Sequence, residues 1–251
     1  MDKKVSPLKA KPLRQPGQSI EEQMDNLLNG EVMPYILLPV MAIAFAAFEW
    51  YRHVFDPRLH PILFSILAII SVLVCIPKII KLKKKLKNLV LGRDGEKAVG
   101  QFLELLREDG CMVFHDIVGD NFNIDHVVVS EKGVYCIETK TYSKPSIQKP
   151  TVKYKDGKLT IDGLGDKSKI LDQVKAASSW LKSIIKDSTG KRFEVKPVIL
   201  FPGWWTESDK KDIWVLEPKG FPKFLNNQKE QLPTDIKKMI GLHLSRYIRS
   251  L

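Results

Sequence analysis

The stretch that decides the fold is residues 123–141, which read NIDHVVVSEKGVYCIETKT. Two runs rich in β-branched and aromatic residues, 124–130 and 134–140, flank the Ser-Glu-Lys-Gly sequence at 130–133. Such runs around a short polar turn that ends in glycine are typical of a β-hairpin. A further strand-like run at 111–118 precedes them. The sequence therefore predicts three consecutive strands.

The register of this hairpin decides which side chains share a sheet face. If Glu131 and Lys132 are the two turn residues, opposed residue numbers add up to 263, and Asp125 lies opposite Glu138 on one face. If Gly133 instead forms a bulge in a three-residue turn, the sum becomes 264 and the two carboxylates point to opposite faces. The sequence leaves both registers open.

In the first register, two acids and a lysine form one patch. Lys140 lies two residues beyond Glu138 and hence on the same face of the strand. Directly opposed carboxylates destabilise a hairpin unless a cation lies between them, and a divalent metal is such a cation. A metal held by Asp125 and Glu138 would lower the pKa of a bound water, which Lys140 could orient for phosphodiester hydrolysis. The alternative is an ordinary ion pair at a strand end.

A helix is predicted before the strands. The Gly-Arg-Asp-Gly sequence at 92–95 breaks the preceding pattern, and Asp94 is placed to cap a helix over 95–108. Glu96 lies seven residues before Leu103, on the apolar stripe of this helix rather than on its solvent face. An acid in a first turn also interacts favourably with the helix dipole, so a site role and a structural role both remain open.

The rest of the chain reads as mixed α and β structure. The pattern predicts a hairpin over 151–163 at the sheet edge, turning at Asp156-Gly157; a helix over 169–185; strands over 193–201 and 212–216; and a closing helix over 233–250. Gln173 borders the apolar stripe of the 169–185 helix. Trp204 and Trp205 follow a strand, where packing at the rim is favoured over stacking on nucleobases. His126 is interpreted as a packed or surface histidine rather than a metal ligand.

Two uncharged stretches near the N-terminus predict a membrane hairpin over residues 32–80. Residues 32–48 and 61–77 each contain 17 consecutive uncharged residues, near the short limit of about 17 to 25 for a bilayer span. Both are apolar on every face, unlike the amphipathic helices of a soluble protein. We therefore expect two transmembrane helices.

The distribution of lysines predicts how these spans are oriented. Six lysines and no acid occupy the run from Lys78 to Lys87, whereas the connection between the spans holds Arg52 and Arg58 against Asp56. The lysine side is therefore expected to be cytoplasmic and to contact anionic lipid. The N-terminal tail shares that side, in agreement with its basic residues Lys3, Lys4, Lys9, Lys11 and Arg14, although these are balanced by the acids Asp2, Glu21, Glu22, Asp25 and Glu31. The predicted location is a multi-pass protein of the cell membrane, with its N-terminus and C-terminal domain in the cytoplasm.

Composition excludes several classes of protein. The apolar share of 44% and the net charge of +11 fit neither a disordered polyelectrolyte nor a fibrous chain. Six of these charges belong to the lysine run, which leaves about +5, compatible with a polyanionic substrate but no sign of one. Cys75, Cys111 and Cys136 are too few and scattered for a disulfide framework, so a reducing compartment is expected.

Three separated motifs together resemble a known family. GRDGEKAVGQFLELL at 92–106, the NIDHVVVSEKGVYCIETKT hairpin and DQVKAASSWL at 172–181 are similar to the nuclease-related domain (NERD), a branch of the PD-(D/E)xK nuclease superfamily. The resemblance is strongest over 92–141 and weaker to about 216. It implies an α/β (mixed α+β) fold with a restriction-endonuclease-like α-β-β-β-α-β core, here preceded by the two transmembrane helices.

The resemblance also implies roles for individual residues. Asp125 matches the metal-binding aspartate of the superfamily, Glu138 the acid of its (D/E)xK element, and Lys140 its lysine. Glu96 matches a glutamate of the first helix, and Gln173 matches a helix glutamine near the site. Ile124 stands where the name of the superfamily would suggest proline, a departure that does not bear on metal binding.

Together these observations predict a membrane-anchored nuclease that uses Mg²⁺ or Mn²⁺ and acts on nucleic acid, with DNA favoured over RNA. The alternative is a catalytically inactive module that binds nucleic acid or another partner at the membrane. The expected segments are a cytoplasmic tail (1–31), the transmembrane hairpin (32–80), a basic juxtamembrane linker (81–91) and the NERD nuclease-like domain (92–251).

Overall fold

A computed structural model describes residues 10–56, 61–119, 122–146, 148–209 and 212–250. It divides the chain into two compact units. One unit combines the described residues up to Ser19 with those from Leu91 onward, and the other is Ile20–Val90. Lys3, Lys4 and Lys9 of the predicted basic tail and Arg58 of the predicted connection lie outside the described residues.

The smaller unit is helical. Helix α1 (Gln18–Asn26) continues through a π-helical turn (Leu27–Val32) into α2 (Met33–Phe55), and α3 (Pro61–Glu104) begins after the connection. Within this unit, Phe45 packs edge-on against Phe64, and the indole N–H of Trp50 donates to Ser65 Oγ at 3.0 Å. Large apolar side chains point outward, such as Leu38 and Leu73, which are 56% and 66% exposed. By length and composition, both helical segments could cross a membrane.

Helix α3 is longer than the sequence predicted. It runs without interruption to Glu104, so the prediction of a new helix that begins at Gly95 with Asp94 as its cap is wrong. Asp94 instead accepts hydrogen bonds from the guanidinium of its neighbour Arg93. The helix packs closely against Thr141 at Gly95, because a Cβ atom at this position would lie 1.7 Å from Thr141 Oγ1. The glycine weakens the helix by about 1 kcal/mol relative to alanine but lets it approach the chain after the third strand.

A five-stranded sheet forms the centre of the larger unit, and its strands lie side by side in the order 112–118, 123–130, 133–139, 195–200 and 214–216. Its first three strands are antiparallel: β1 (Met112–Val118), β2 (Asn123–Ser130) and β3 (Gly133–Thr139). Helix α4 (Lys169–Thr189) then leads to β7 (Val195–Leu200), which pairs parallel to β3, and β9 (Trp214–Leu216) extends the parallel part. The α-β-β-β-α-β order and the mixed α+β class are therefore confirmed.

The register of the β2–β3 hairpin is the one with a two-residue turn. Ser130 pairs with Gly133 and His126 with Ile137, and both pairs of numbers add up to 263. The alternative register with a bulge at Gly133 is thereby excluded. Asp125 and Glu138, the next pair in this register, lie on the same face of the sheet.

A second sheet holds the predicted 151–163 hairpin. It has the order β6-β5-β4-β8, with β4 (Thr151–Lys155), β5 (Lys158–Ile161), β6 (Gly165–Asp166) and β8 (Trp205–Ser208). The turn lies at Asp156-Gly157, as predicted, with positive φ at both residues. The hairpin belongs to a separate sheet, however, and is not an edge excursion of the first one.

The central sheet is covered on both faces. One face packs against α4 and against α6 (Thr234–Ser250), through Val127, Val129 and Cys136. The other packs against the end of α3 and against α5 (Phe221–Asn226). All three cysteines are free and buried.

Because apolar side chains cover both faces of the sheet, the polar groups at the end of β3 lie beside an apolar core, where charge interactions are stronger than in water.

Candidate active site

Glu138 occupies the centre of the candidate site. It is the penultimate residue of β3 and is only 4% exposed. Its Oε1 atom accepts a hydrogen bond from Lys140 Nζ at 2.5 Å and another from Gln173 Nε2 at 3.0 Å. The parallel β3-α4-β7 unit explains this meeting, because α4 covers the face of β3 on which Glu138 lies. Three residues singled out from the sequence are thus in direct contact.

Asp125 lies beside this group on β2. Its Oδ2 atom accepts the backbone N–H of Thr139 at 2.6 Å, which ties the carboxylate to the end of β3. Burial, followed by the neighbouring charges of Glu138 and Glu96, raises the pKa of Asp125 well above its usual value, although Lys140 and the Thr139 N–H act in the opposite direction. The site therefore crowds negative charge beyond what one lysine compensates.

Glu96 is the third acid of this group. It lies in α3, only 9% exposed. Burial and the charges of Asp116 and Glu138 raise its pKa from 4.5 to about 7, against the lowering effects of Lys140 and of a hydrogen bond from the backbone of Gly17. The sequence predicted that Glu96 lies on the apolar stripe of its helix. This position brings its carboxyl group close enough to Asp125 and Glu138 for their charges to interact. A carboxyl whose pKa is raised in this way is a candidate for a functional site.

Sequence reasoning missed Asp116 and the N-terminal segment bound to it. Asp116 is 2% exposed, and its φ of 51° is uncommon for a residue other than glycine. Its Oδ2 atom accepts Arg14 Nε at 2.6 Å and the backbone N–H of Ser19 at 2.9 Å. An acid inside the apolar run 111–118 was the available signal. Arg14 was interpreted only as part of a basic tail, yet it contacts the domain that holds the site.

A pair of histidines lies on the same strands but on the other face from Asp125. His115 Nε2 is 2.7 Å from Glu104 Oε1, and His115 Nδ1 is 2.8 Å from Nδ1 of the fully buried His126. Burial lowers the pKa of both rings. A neutral His115 that donates from Nε2 to Glu104 accepts at Nδ1, so His126 carries its proton on Nδ1. This arrangement supports the interpretation of His126 as a packed histidine.

The chemistry of the site suits a hard cation, although no complete metal site is formed. Asp125 and Glu138 offer carboxylate oxygens, the ligands that Mg²⁺ and Mn²⁺ prefer. The raised pKa of Asp125 marks a place where added positive charge would be favourable. Across the part of the chain that the structure describes, however, no three His, Cys, Asp or Glu side chains are grouped so that they could hold a metal ion. Lys140 is the cation that contacts Glu138.

The two tryptophans after β7 differ from each other. Trp204 is 1% exposed and packs in the core beside the second sheet, which agrees with the packing interpretation. Trp205 is 53% exposed and carries the ammonium of Lys149 at 3.7 Å from its ring centroid. Trp205 therefore lies at the rim with much of its ring exposed, and the alternative of stacking on a nucleobase stays open for it.

Comparison with known proteins adds an independent finding. Residues 91–202 match the family model described as the nuclease-related domain. A 56-residue segment is 39% identical to an uncharacterized protein of Bacillus anthracis, covering 20% of this chain and 26% of the relative. The matched segment thus spans about a quarter of that relative's length. No solved structure matches the chain.

Proposed function

We propose that this chain, which carries a nuclease-related domain over residues 91–202, is a membrane-anchored, metal-dependent nuclease that hydrolyses phosphodiester bonds of nucleic acid, with DNA favoured. The observation that carries the proposal is the contact of Lys140 and Gln173 with one oxygen of the buried Glu138, on the face that also holds Asp125. An acid pair with an ammonium beside it is the set of groups that metal-assisted hydrolysis requires.

Each residue would have a distinct task. Asp125 and Glu138 would hold Mg²⁺ or Mn²⁺, together with the backbone carbonyl of Thr139. The bound metal would supply a water of lowered pKa. Lys140 would orient the attacking water and balance the charge that develops on the phosphate. Burial alone would lower the pKa of Lys140, but Glu138 and Asp125 raise it above its usual value, so the ammonium stays charged.

Gln173 and Glu96 would act around this centre. The amide of Gln173 donates to Glu138 and so fixes the orientation of that carboxylate. Glu96, with its pKa of about 7, would retain or release a proton as the charge of the site changes. Its carboxylate would thereby limit the build-up of negative charge between substrate phosphate and enzyme.

The proposal places the enzyme at the cytoplasmic side of the cell membrane. Two helical segments are long and apolar enough to cross a bilayer. The basic run Lys78–Lys87, which contains no acid, follows the second apolar stretch, and such runs remain on the cytoplasmic side. The proposed segments are the tail (1–31), the membrane hairpin (32–80), the linker (81–91), which contacts anionic lipid together with the rest of the basic run, and the nuclease-like domain (92–251).

A catalytically inactive module that binds nucleic acid or another partner at the membrane is the second candidate. The observation in its favour is that, among the described residues, no three-ligand metal group is formed and Lys140 pairs with Glu138. In this case the acid–lysine pair would be purely structural.

One experiment separates the two candidates. The full chain in detergent is incubated with supercoiled plasmid, linear DNA and RNA, in Mg²⁺, Mn²⁺ or EDTA. The active-site variants are Glu138→Gln and Lys140→Ala, and the matched controls are Glu230→Gln and Lys238→Ala, which replace exposed residues of the same types. We expect metal-dependent cleavage that both active-site variants lose and both controls keep. Cleavage that persists in EDTA or in Glu138→Gln would contradict the proposed mechanism.

A further inference from the structure

A cleft of about 690 Å³ opens at the edge of the sheet where the candidate site lies. Its lining includes Lys144, Lys149, Trp204, Trp205, Lys219 and Phe224. Strands β3, β7 and β9 are parallel neighbours, so their carboxyl ends meet at one edge. Ligands of open α/β sheets bind at such edges.

Backbone hydrogen bonds connect the cleft to the candidate site. The N–H of Lys140 donates to the carbonyl of Leu200 at 2.9 Å, and the N–H of Phe201 donates to that of Leu216 at the same distance. The segments that follow the three strands therefore run side by side. Adjacent strands are about 4.8 Å apart, so the cleft begins within about two strand spacings of Glu138.

The cleft is positively charged. Lys144, Lys149 and Lys219 line it, and within the described parts of the chain none of their ammonium groups forms an ion pair. Lys144 lies against Gly203, where a Cβ atom would come within 3.1 Å of its Nζ. Among the described residues of the lining, Glu217 is the one acid, and its carboxylate already accepts the backbone N–H of Lys219 at 2.9 Å. Three cations against one engaged carboxylate favour a polyanionic ligand.

Aromatic rings accompany these charges. Trp205 is 53% exposed and Phe224 is 42% exposed, although both are large apolar side chains. Lys149 Nζ lies 3.7 Å from the Trp205 ring centroid, so a cation and a stacking surface are held together. Lys149 lies over one face of Trp205, and the exposed remainder of that ring and the Phe224 ring are available for stacking. Basic groups beside exposed aromatic rings are how proteins bind single-stranded nucleic acid, since the backbone follows the charges and the bases stack on the rings.

We propose that this cleft binds single-stranded nucleic acid, with a base stacked on Trp205 and phosphates held by Lys144, Lys149 and Lys219. The inference rests on the proposed function and deepens it: the ligand would be an unpaired strand that extends from the cleft toward Glu138. Bases in a duplex are stacked on each other and do not present their faces to a protein ring. The volume of the cleft lies within the range of pockets that enclose a small ligand, about 300–1,000 Å³. The cleft is therefore large enough for a nucleotide of an unpaired strand.

The test measures binding without cleavage. The full chain, in nanodiscs of phosphatidylcholine and with EDTA present, is titrated against a fluorescein-labelled 15-nucleotide oligo(dT), its RNA counterpart and a blunt DNA duplex, followed by anisotropy. We expect both single strands to bind more tightly than the duplex. Trp205→Ala should raise the Kd about 5- to 100-fold, and Trp205→Tyr should restore most of the affinity. Glu230→Gln, which replaces an exposed glutamate, is the control and should leave the Kd unchanged.

The lysines are tested through their salt dependence. Lys149→Ala should reduce the slope of log Kd against log salt concentration by about 0.7, the value for one contact with a single-strand phosphate. Lys238→Ala, an exposed lysine of α6, is the matched control and should leave the slope unchanged.

The outcomes separate this inference from the proposed function. Equal affinity of the wild type and Trp205→Ala, or equal affinity for single strands and duplex, would overturn the cleft assignment even if cleavage were observed. Binding that depends on Trp205 in a protein that cleaves no substrate in Mg²⁺ would support the cleft and contradict the nuclease.

Discussion

Two clusters of buried polar side chains lie back to back on the same strands. Around Asp125, acids are crowded, and burial together with the neighbouring negative charges raises the pKa of Asp125 and of Glu96, with Lys140 as the cation among them. Around His126, the groups form a chain of hydrogen bonds from Glu104 through His115, and the rings are held neutral by burial. The first arrangement costs stability in the absence of a further cation. The second pairs three of its four ring nitrogens by hydrogen bonds and leaves the buried His126 Nε2 without a partner among the described residues. A cluster that is costly when alone is the better candidate for function.

The largest expected effect concerns catalysis by the acid cluster. Glu138→Gln should lower the rate of metal-dependent cleavage by at least about 100-fold, because the neutral amide removes a metal ligand while keeping the shape of the side chain. The melting temperature in EDTA should not fall, since the substitution also removes one of the crowded charges. Cleavage rates at saturating plasmid and thermal unfolding of the full chain measure the two effects. A rate within threefold of the wild type would place Glu138 outside the reaction.

The histidine cluster should show the opposite behaviour. His115→Ala removes two hydrogen bonds and leaves a cavity, so the free energy of unfolding should fall by about 3 kcal/mol while the cleavage rate per folded molecule is kept. Denaturant unfolding of the full chain in detergent measures the change. The partly exposed His243 of α6 supplies the control His243→Ala, which should have little effect. A loss of cleavage without a loss of stability would show that the two clusters are not distinct in role.

The sequence predicted most of the fold because local patterns determine it. Alternating β-branched residues defined the three antiparallel strands, and the Glu131-Lys132 turn was one of two registers that they allowed. The end of α3 was mispredicted, because Gly95 and Asp94 are ordinary signals of a helix start and only tertiary contact with Thr141 explains the glycine. Gly95 and Thr141 are far apart in the sequence, so no local pattern predicts their contact.

The candidate site was predicted only in part, for the same reason. Asp125, Glu138 and Lys140 share a strand pair, so period-two alternation is enough to bring them together. Asp116 is held by Arg14 and by Ser19 across about a hundred residues of sequence, and no local pattern indicates such a contact. A fragment that begins at Gly92 would lack this segment, so the full chain is the proper material for every assay.

The two clusters should also differ in their dependence on pH. The folded-state pKa of Glu96 is raised from 4.5 to about 7 by burial, Asp116 and Glu138, against the lowering effect of Lys140. Folding then favours the protonated form, so the stability that Glu96 contributes is present below about pH 4.5 and is lost as pH rises through about 7. The full difference corresponds to roughly 3 kcal/mol. His115, with its pKa lowered, has the opposite sign, and its contribution is lost as pH falls below about 6.5.

Glu96→Gln isolates the first of these effects. The variant should be more stable than the wild type at pH 8 in EDTA and should differ little from it at pH 4.5, because the amide carries no charge at either pH. Unfolding midpoints from pH 4.5 to 8 measure the difference, and Glu230→Gln is the exposed control. Parallel curves for wild type and Glu96→Gln would show that Glu96 does not titrate in this range.

The smallest expected effect concerns Gln173, which contacts the acid cluster from its outer side. Its amide donates to Glu138 Oε1 alongside Lys140 Nζ, so Gln173→Ala should leave the carboxylate held by Lys140 but less fixed in orientation. The expected loss in cleavage rate is about 10-fold, with a matching rise in the Mg²⁺ concentration needed for half-maximal rate. Ser179→Ala, at an exposed position on the same helix, is the control. A lower rate with an unchanged Mg²⁺ requirement would mean that Gln173 acts on the substrate and not through Glu138.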